Sequence, residues 1–539
     1  MNHWFTLADA PLDRSFIKRF TPLHWTVDFP RGAMASVTEG SDAKSLVVDV
    51  EFLRRGDLIG LIWDSVDRHS HPAQARETAR DYRGCVLKFR WRSSGVTALD
   101  AVQGAVLTIE GAAGRTWYVR LWNYAVGTGS DAVVTLDFDA LDGGFSLPAE
   151  ADRVVPGAIE RMFISITPTD YIQASSAIRA VRAPGQVTLS EIVCEGGGST
   201  IAVGDAVAPE NGFGMASAYD DLYHRCPARL IEEIVRSGYR GTINHYVGMS
   251  HYMALGGDGL VDAGRNLCAP ALAWHRSLAR AAKANGYRLI WSLSFEVLAM
   301  FCPTGWQQRF FAGDFAATGY VPPSALVSPA NAAAVAYLGR IAAALVAISV
   351  EVGLAPLFQV GEPWWWIGSD RRPALYDAAA VAAFGGAPVE IANVGGALSA
   401  AQKGLLDQAG VVLAAATASV VAAARAAAPG LKSHVLAFVP GLLDPAMPEV
   451  RRANLPLGWA RPAFDVLQIE DYDWVTSGAD AKRAAARTEI EARLGYARNE
   501  QHYLSGFATQ TRNQPQEKVR QRRVELPPPQ RHDFGQCAI

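Results

Sequence analysis

Residues 354–370 read LAPLFQVGEPWWWIGSD, and the order of residue types in this stretch decides the fold. An apolar run of strand length stops at Gly361, and a carboxylate, a proline and three tryptophans follow at once. Barrels of parallel strands and helices hold their ligands at the carboxyl ends of the strands. Aromatic faces stack on the apolar faces of pyranose rings, and a carboxyl in apolar surroundings keeps its proton long enough to act as an acid. Glu362 is therefore the candidate general acid, with Trp364, Trp365 and Trp366 as stacking platforms. Pro363 disfavours a right-handed helical conformation at Glu362 and sends the loop off the strand in one direction. In the competing reading the tryptophans plug the barrel mouth and Glu362 holds a backbone amide or an arginine.

The same rhythm extends on both sides. GTINHYVG (241–248), YRLIWSLSF (287–295), LAPLFQV (354–360), HVLAFVP (434–440), FDVLQIE (464–470) and QHYLSGFAT (501–509) read as six strands. Alanine-rich helices are expected at 272–283, 332–350, 398–428 and 480–494. Repeated strand–helix units imply a parallel sheet covered by helices. A barrel is preferred over an open sheet because polar and aromatic residues gather at the ends of several strands. The polar tail TRNQPQEKVRQRRVELPPPQRHDFGQ does not readily supply the two missing strands, so they either lie in segments read as loops or are absent, and an incomplete barrel would expose a parallel edge.

Upstream, SLVVDVEFL, CVLKFRWRS, AVLTIEGA, TWYVRLWNY, AVVTLDFDA and RMFISITPT are short alternating or β-branched runs between Gly, Asp and Ser turns. The expected fold is thus α+β and multidomain. A β-sandwich-like domain over 1–195 precedes a TIM-type (β/α) barrel over 200–510, incomplete at its C-terminal end, and a polar tail over 511–539.

Glu470, at the end of FDVLQIE, is the expected partner of Glu362, as nucleophile or as base for a water. Asp471 and Asp473 compete for that role or bind ligand, with a solvated loop or a cation site as the competing readings of this acidic end, and Tyr472 and Trp474 would line or close the same mouth. Glu296 is either a ligand contact or one half of a structural salt bridge. Asn244 and His245 either bind sugar hydroxyls or are satisfied polar residues beneath the rim. His245 and His251 lack the spacing of a helical zinc pair, so no metal site is expected.

A net charge of -3 gives no electrostatic case for nucleic acid. The basic run KVRQRR (518–523) reads as a solvated tail. The apolar segments 341–350 and 411–424 are short and alanine-rich, and suit helices packed on a sheet better than membrane spans. The N-terminus lacks the apolar stretch of a Sec signal peptide, so synthesis in a bacterial cytoplasm without Sec export is expected. Six scattered cysteines read as reduced and structural. GxGxxG, GxxxxGK[ST] and GxSxG patterns are missing, so no cofactor is expected.

The stretches AYDDLYHRCPARLIEEIVRSGYRGTINHYVGMSHY, LIWSLSFEVL, PLFQVGEPWWW and FDVLQIEDYDWV resemble the TIM-barrel domain of tail proteins from bacteriophages and gene transfer agents. These are non-contractile tail sheath-like proteins with a glycoside-hydrolase-like barrel, and the β-rich region is similar to their N-terminal domain. The resemblance implies a structural protein of a virion or prophage tail, assembling with itself or with other tail proteins, and a polysaccharide ligand at the cleft. It also nominates Asn244, His245, Glu296, Glu362 and Glu470. Hydrolases of this barrel class take their nucleophile from a seventh strand, which the six-strand reading lacks. The alternative is an active hydrolase of host envelope or capsular polysaccharide.

Overall fold

The computed structural model describes residues 16–70, 75–77, 79–180, 182–196, 200–203, 208–504 and 533–534. In the N-terminal half two antiparallel sheets face each other. The six-stranded sheet runs in the order Ala125–Thr128, Asp131–Asp137, Cys85–Ser94, Gly185–Gly196, Leu46–Glu51 and Met34–Glu39. The five-stranded sheet runs Thr26–Asp28, Ile59–Asp64, Ile159–Ile166, Val106–Gly111 and Thr116–Arg120. Burial along Cys85–Ser94 and Asp131–Asp137 alternates, as expected of sheets with one face to the core. Leu87, Phe89, Trp91 and Leu136 meet Leu61, Trp63, Leu107 and Ile164 in one core.

The C-terminal half is a curled sheet of eight parallel strands in chain order: Met215–Ala218, Thr242–Val247, Arg288–Ser294, Leu357–Gly361, Lys432–Phe438, Val466–Glu470, Gln501–Leu504 and Asp533–Phe534. No pairing joins the last strand to the first among the described residues, so the barrel is not fully closed. Two strands depart from the expected six. One, Met215–Ala218, precedes the first expected strand, and the other lies in the tail that was expected to supply none. Glu362 therefore follows the fourth strand and Glu470 ends the sixth.

The helices Pro227–Arg236, Ala269–Ala284, Ala332–Val352, Ala400–Ala427 and Asp480–Leu494 lie between the strands. Ser399 and Gln402 form a capping box at the start of Ala400–Ala427. Gly353 ends Ala332–Val352 in the left-handed conformation that glycine adopts without strain. These two helices are long and apolar enough to cross a bilayer by length and composition. Here they pack against each other and bury Leu338, Leu345, Leu413 and Val420.

The two halves share an extensive interface. The edge strand Met34–Glu39 is buried along most of its length because the helix Ala269–Ala284 lies on it. Glu51 accepts from the Ala269 backbone N–H at 2.8 Å and pairs with Arg265 at 3.0 Å, putting a carboxylate at the positive end of that helix. Glu39 accepts from the Ser277 hydroxyl at 2.6 Å. Nearby, Arg229 bridges Asp67 of the sandwich at 2.5 Å and Glu233 of its own helix at 3.1 Å.

Candidate functional site

Strand alternation decides what the barrel presents to its interior. In Thr242–Val247 the apolar Ile243 and Val247 face the helices, which sends Asn244 and Tyr246 inward and His245 outward. In Val466–Glu470, Gln468 and Glu470 share the inward face. Asn244 and Ser292 both donate to the Gln359 side-chain oxygen, at 3.3 and 2.7 Å, and Gln468 donates to the Tyr246 hydroxyl at 3.3 Å. This network lies inside the barrel beneath a cavity of about 1220 Å³ at the carboxyl ends of the strands, and Tyr246 is its member that lines the cavity.

Glu362, Glu296, Glu470, Asp220 and Asp221 all line this cavity, with Tyr246, Tyr472, Trp364 and Trp366. The opposite wall comes from the sandwich, through Phe29, Arg31 and Met34. Gly361 lets the fourth strand pass close to the third, since a Cβ there would meet the Ser292 hydroxyl at 2.5 Å. Glu362 then adopts φ 47, a left-handed conformation that costs a non-glycine residue about 1 kcal/mol or more. That strain sits at the residue whose side chain enters the cavity.

The carboxyls are held toward their protonated forms. Burial lifts Glu362 to about 7, against an opposing hydrogen bond from Ser294. Burial, then repulsion from Glu362 and Asp220, lifts Glu296 to about 8. Burial lifts Asp220 to about 8 despite hydrogen bonds from Ser250. Glu470 is raised well above the ordinary range by burial, then by Glu362. Neither Glu296 nor Glu470 has a salt-bridge partner among the described residues, so the structural-salt-bridge reading of Glu296 is overturned.

The WWW loop is fastened at several points. The Gln308 side chain donates to the Trp364 carbonyl at 3.0 Å and accepts from the Trp366 N–H at 2.8 Å. Asn454 does the same for Trp365, donating to its carbonyl and accepting from its N–H, both at 2.8 Å. The half-buried rings of Trp364 and Trp366 border the cleft. Trp365 corrects the expectation of three platforms. Its ring is buried, and its indole N–H donates to the Ala409 carbonyl of the helix behind.

Other expected contacts lie outside the cleft. His245 is fully buried on the outer face of the sheet, bonded to the Ser217 hydroxyl at 2.8 Å and stacked on Trp274. Asn244 belongs to the floor network beneath the cavity. The strand stops at Glu470, so Asp471 turns away and forms a buried ion pair with Arg483 at 2.7 Å, with the Tyr503 hydroxyl beside it. Asp473 lies exposed in the short helix Tyr472–Thr476, and Trp474 is buried with the Lys482 ammonium over its ring. Asp220, Ser294 and the sandwich wall were missed. The acids in AYDDLYHRC follow a strand of only four residues, which gives no periodic signal.

Family models for the non-contractile tail sheath protein match most of the chain, its N-terminal domain over residues 17–204 and its TIM barrel over 209–523. No curated protein matches the chain. Similar solved structures include the PgaB (BpsB) glycoside hydrolase domain from Bordetella bronchiseptica, at 10% identity over 54% of this chain and 84% of that one, TM-score 0.37. A xylanase 10C from Cellvibrio japonicus in complex with xylopentaose is 12% identical over 88% and 77% of the two chains, TM-score 0.28. A GH31 alpha-xylosidase from Xanthomonas citri is 10% identical over 91% and 49%, TM-score 0.26.

Proposed function

The chain belongs to the non-contractile tail sheath protein family and is a virion-tail component that assembles with other tail proteins, and on that premise we propose that its barrel cleft binds a polysaccharide of the host envelope. The observation that carries this reading is the pairing of protonated carboxyls with the half-buried Trp364 and Trp366 in a cavity of about 1220 Å³. A cavity of this size holds several sugar rings. Neutral carboxyls donate and accept hydrogen bonds to hydroxyls, and the indoles supply ring faces. Alanine at Trp364 or Trp366 is expected to weaken binding of envelope-polysaccharide fragments by roughly 5- to 30-fold each, about 1–2 kcal/mol. Alanine at Trp365 should lower stability instead. Titration of the fragments against the full chain checks this, and the reading falls if wild type binds none of them.

A second reading, hydrolysis, is favoured by Glu362, whose proton is held to about 7 in the same cleft as Glu470. In that mechanism Glu362 protonates the leaving oxygen and Glu470 assists on the opposite face. Glu362→Gln should then keep the fold and cut turnover by about 10²–10⁴-fold. Unchanged turnover on a verified substrate sinks the assignment. Against hydrolysis stands the seventh strand, Gln501–Leu504, after which the first carboxylate in the sequence is Glu517. Binding is therefore the primary reading.

A further inference from the structure

Five carboxyls line one cavity, and its two arginines, Arg31 and Arg371, are solvent-exposed and form no ion pair with them. Glu470 is 5% exposed, aims into the cavity from the inward face of its strand, and its carboxyl has neither a hydrogen bond nor an ion pair among the described residues. A buried carboxyl without a partner is costly unless a ligand supplies one. A cation supplies such a partner and lets the carboxyl ionise. No group of three metal-ligating side chains is drawn together among the described residues, so the acids are too dispersed to chelate a single ion. A ligand carrying separated positive groups along its length fits that dispersion.

We propose that the cleft selects a polysaccharide bearing free amino groups, an N-deacetylated amino sugar polymer, whose ammonium groups pair with Glu470 and Glu296 while its rings lie against Trp364 and Trp366. This rests on the saccharide-binding reading and names its substrate class. Burial and mutual repulsion hold the empty cleft's carboxyls protonated. An ammonium among them favours their ionised forms, and at low local dielectric each such pair is stronger than in water. An N-acetyl group in the same place offers no charge.

Calorimetric titration of the full chain at pH 6 with a β-1,4-linked glucosamine pentamer, its fully N-acetylated counterpart and pentalysine separates the outcomes. The glucosamine pentamer is expected to bind at least about tenfold more tightly than the other two, with an affinity that falls as salt rises. Glu470→Gln and Glu296→Gln should each remove most of that preference, weakening the glucosamine pentamer far more than its N-acetylated counterpart, since the charged pair is lost only with the former. Equal binding of both sugars overturns the amino-sugar proposal and leaves saccharide binding standing. Pentalysine binding as tightly as the glucosamine pentamer overturns it in favour of a basic peptide. If neither sugar binds, both readings fail.

Discussion

Replacing Arg229 with methionine is expected to destabilise the chain by about 3–5 kcal/mol, the cost of leaving buried charge uncompensated. Arg229 lies on the barrel helix Pro227–Arg236 with its side chain almost fully buried, and it reaches across the interface to Asp67 at 2.5 Å. Asp67 also accepts from the His69 and Ser70 N–H groups, and the nearby Arg229 and Arg76 hold its carboxyl well below the usual range against its own burial. Methionine fills the space of the side chain and supplies no charge. Glu233 keeps Arg225 at 2.5 Å, but Asp67 loses its principal cation. Denaturant unfolding measures the loss, and the double variant Arg229→Met, Asp67→Asn should recover most of it, because the stranded charge is then gone. A single-variant cost below about 1 kcal/mol would show that water reaches the network.

That interface was invisible in the sequence, because Asp67 and Arg229 come from different domains and carry no local pattern. The barrel was legible where periodicity was strong. GTINHYVG, YRLIWSLSF and FDVLQIE are strands, and Asp480–Leu494 is a helix where one was expected. Met215–Ala218 was not legible: MASA has no β-branched residue, and its strand conformation comes from pairing with Thr242–Val247. Within the site, Glu362 stood out because its neighbours in sequence are also its neighbours in space. His245 was misplaced although parity was available, since it shares a strand face with Ile243 and Val247. Asp471 was misplaced because the strand ends one residue earlier. Phe29 and Arg31 were missed because a wall donated by another domain leaves no trace in the barrel's own sequence.

Glu296→Gln is expected to stabilise the protein at alkaline pH and to change little at acid pH. Below about pH 4.5 both folded and unfolded chains hold the proton, so the carboxyl does not enter the balance. As pH rises the unfolded chain ionises first, at the ordinary value of 4.5, while the folded chain holds its proton to about 8. The unfolded state is therefore favoured progressively between those values, and stability is lost across that window. The shift sets a ceiling of about 5 kcal/mol at pH 9, at about 1.4 kcal/mol per unit. Glutamine keeps the shape and the Ser324 contact and has no proton to lose. Glu362→Gln should show the same sign over a narrower window, since its value is about 7. Thermal unfolding from pH 4 to pH 9 checks both. Variants less stable than wild type at pH 9 would mean that these carboxylates are structural anchors. Variants more stable there would mark them as groups that weaken the fold and act through what they bind.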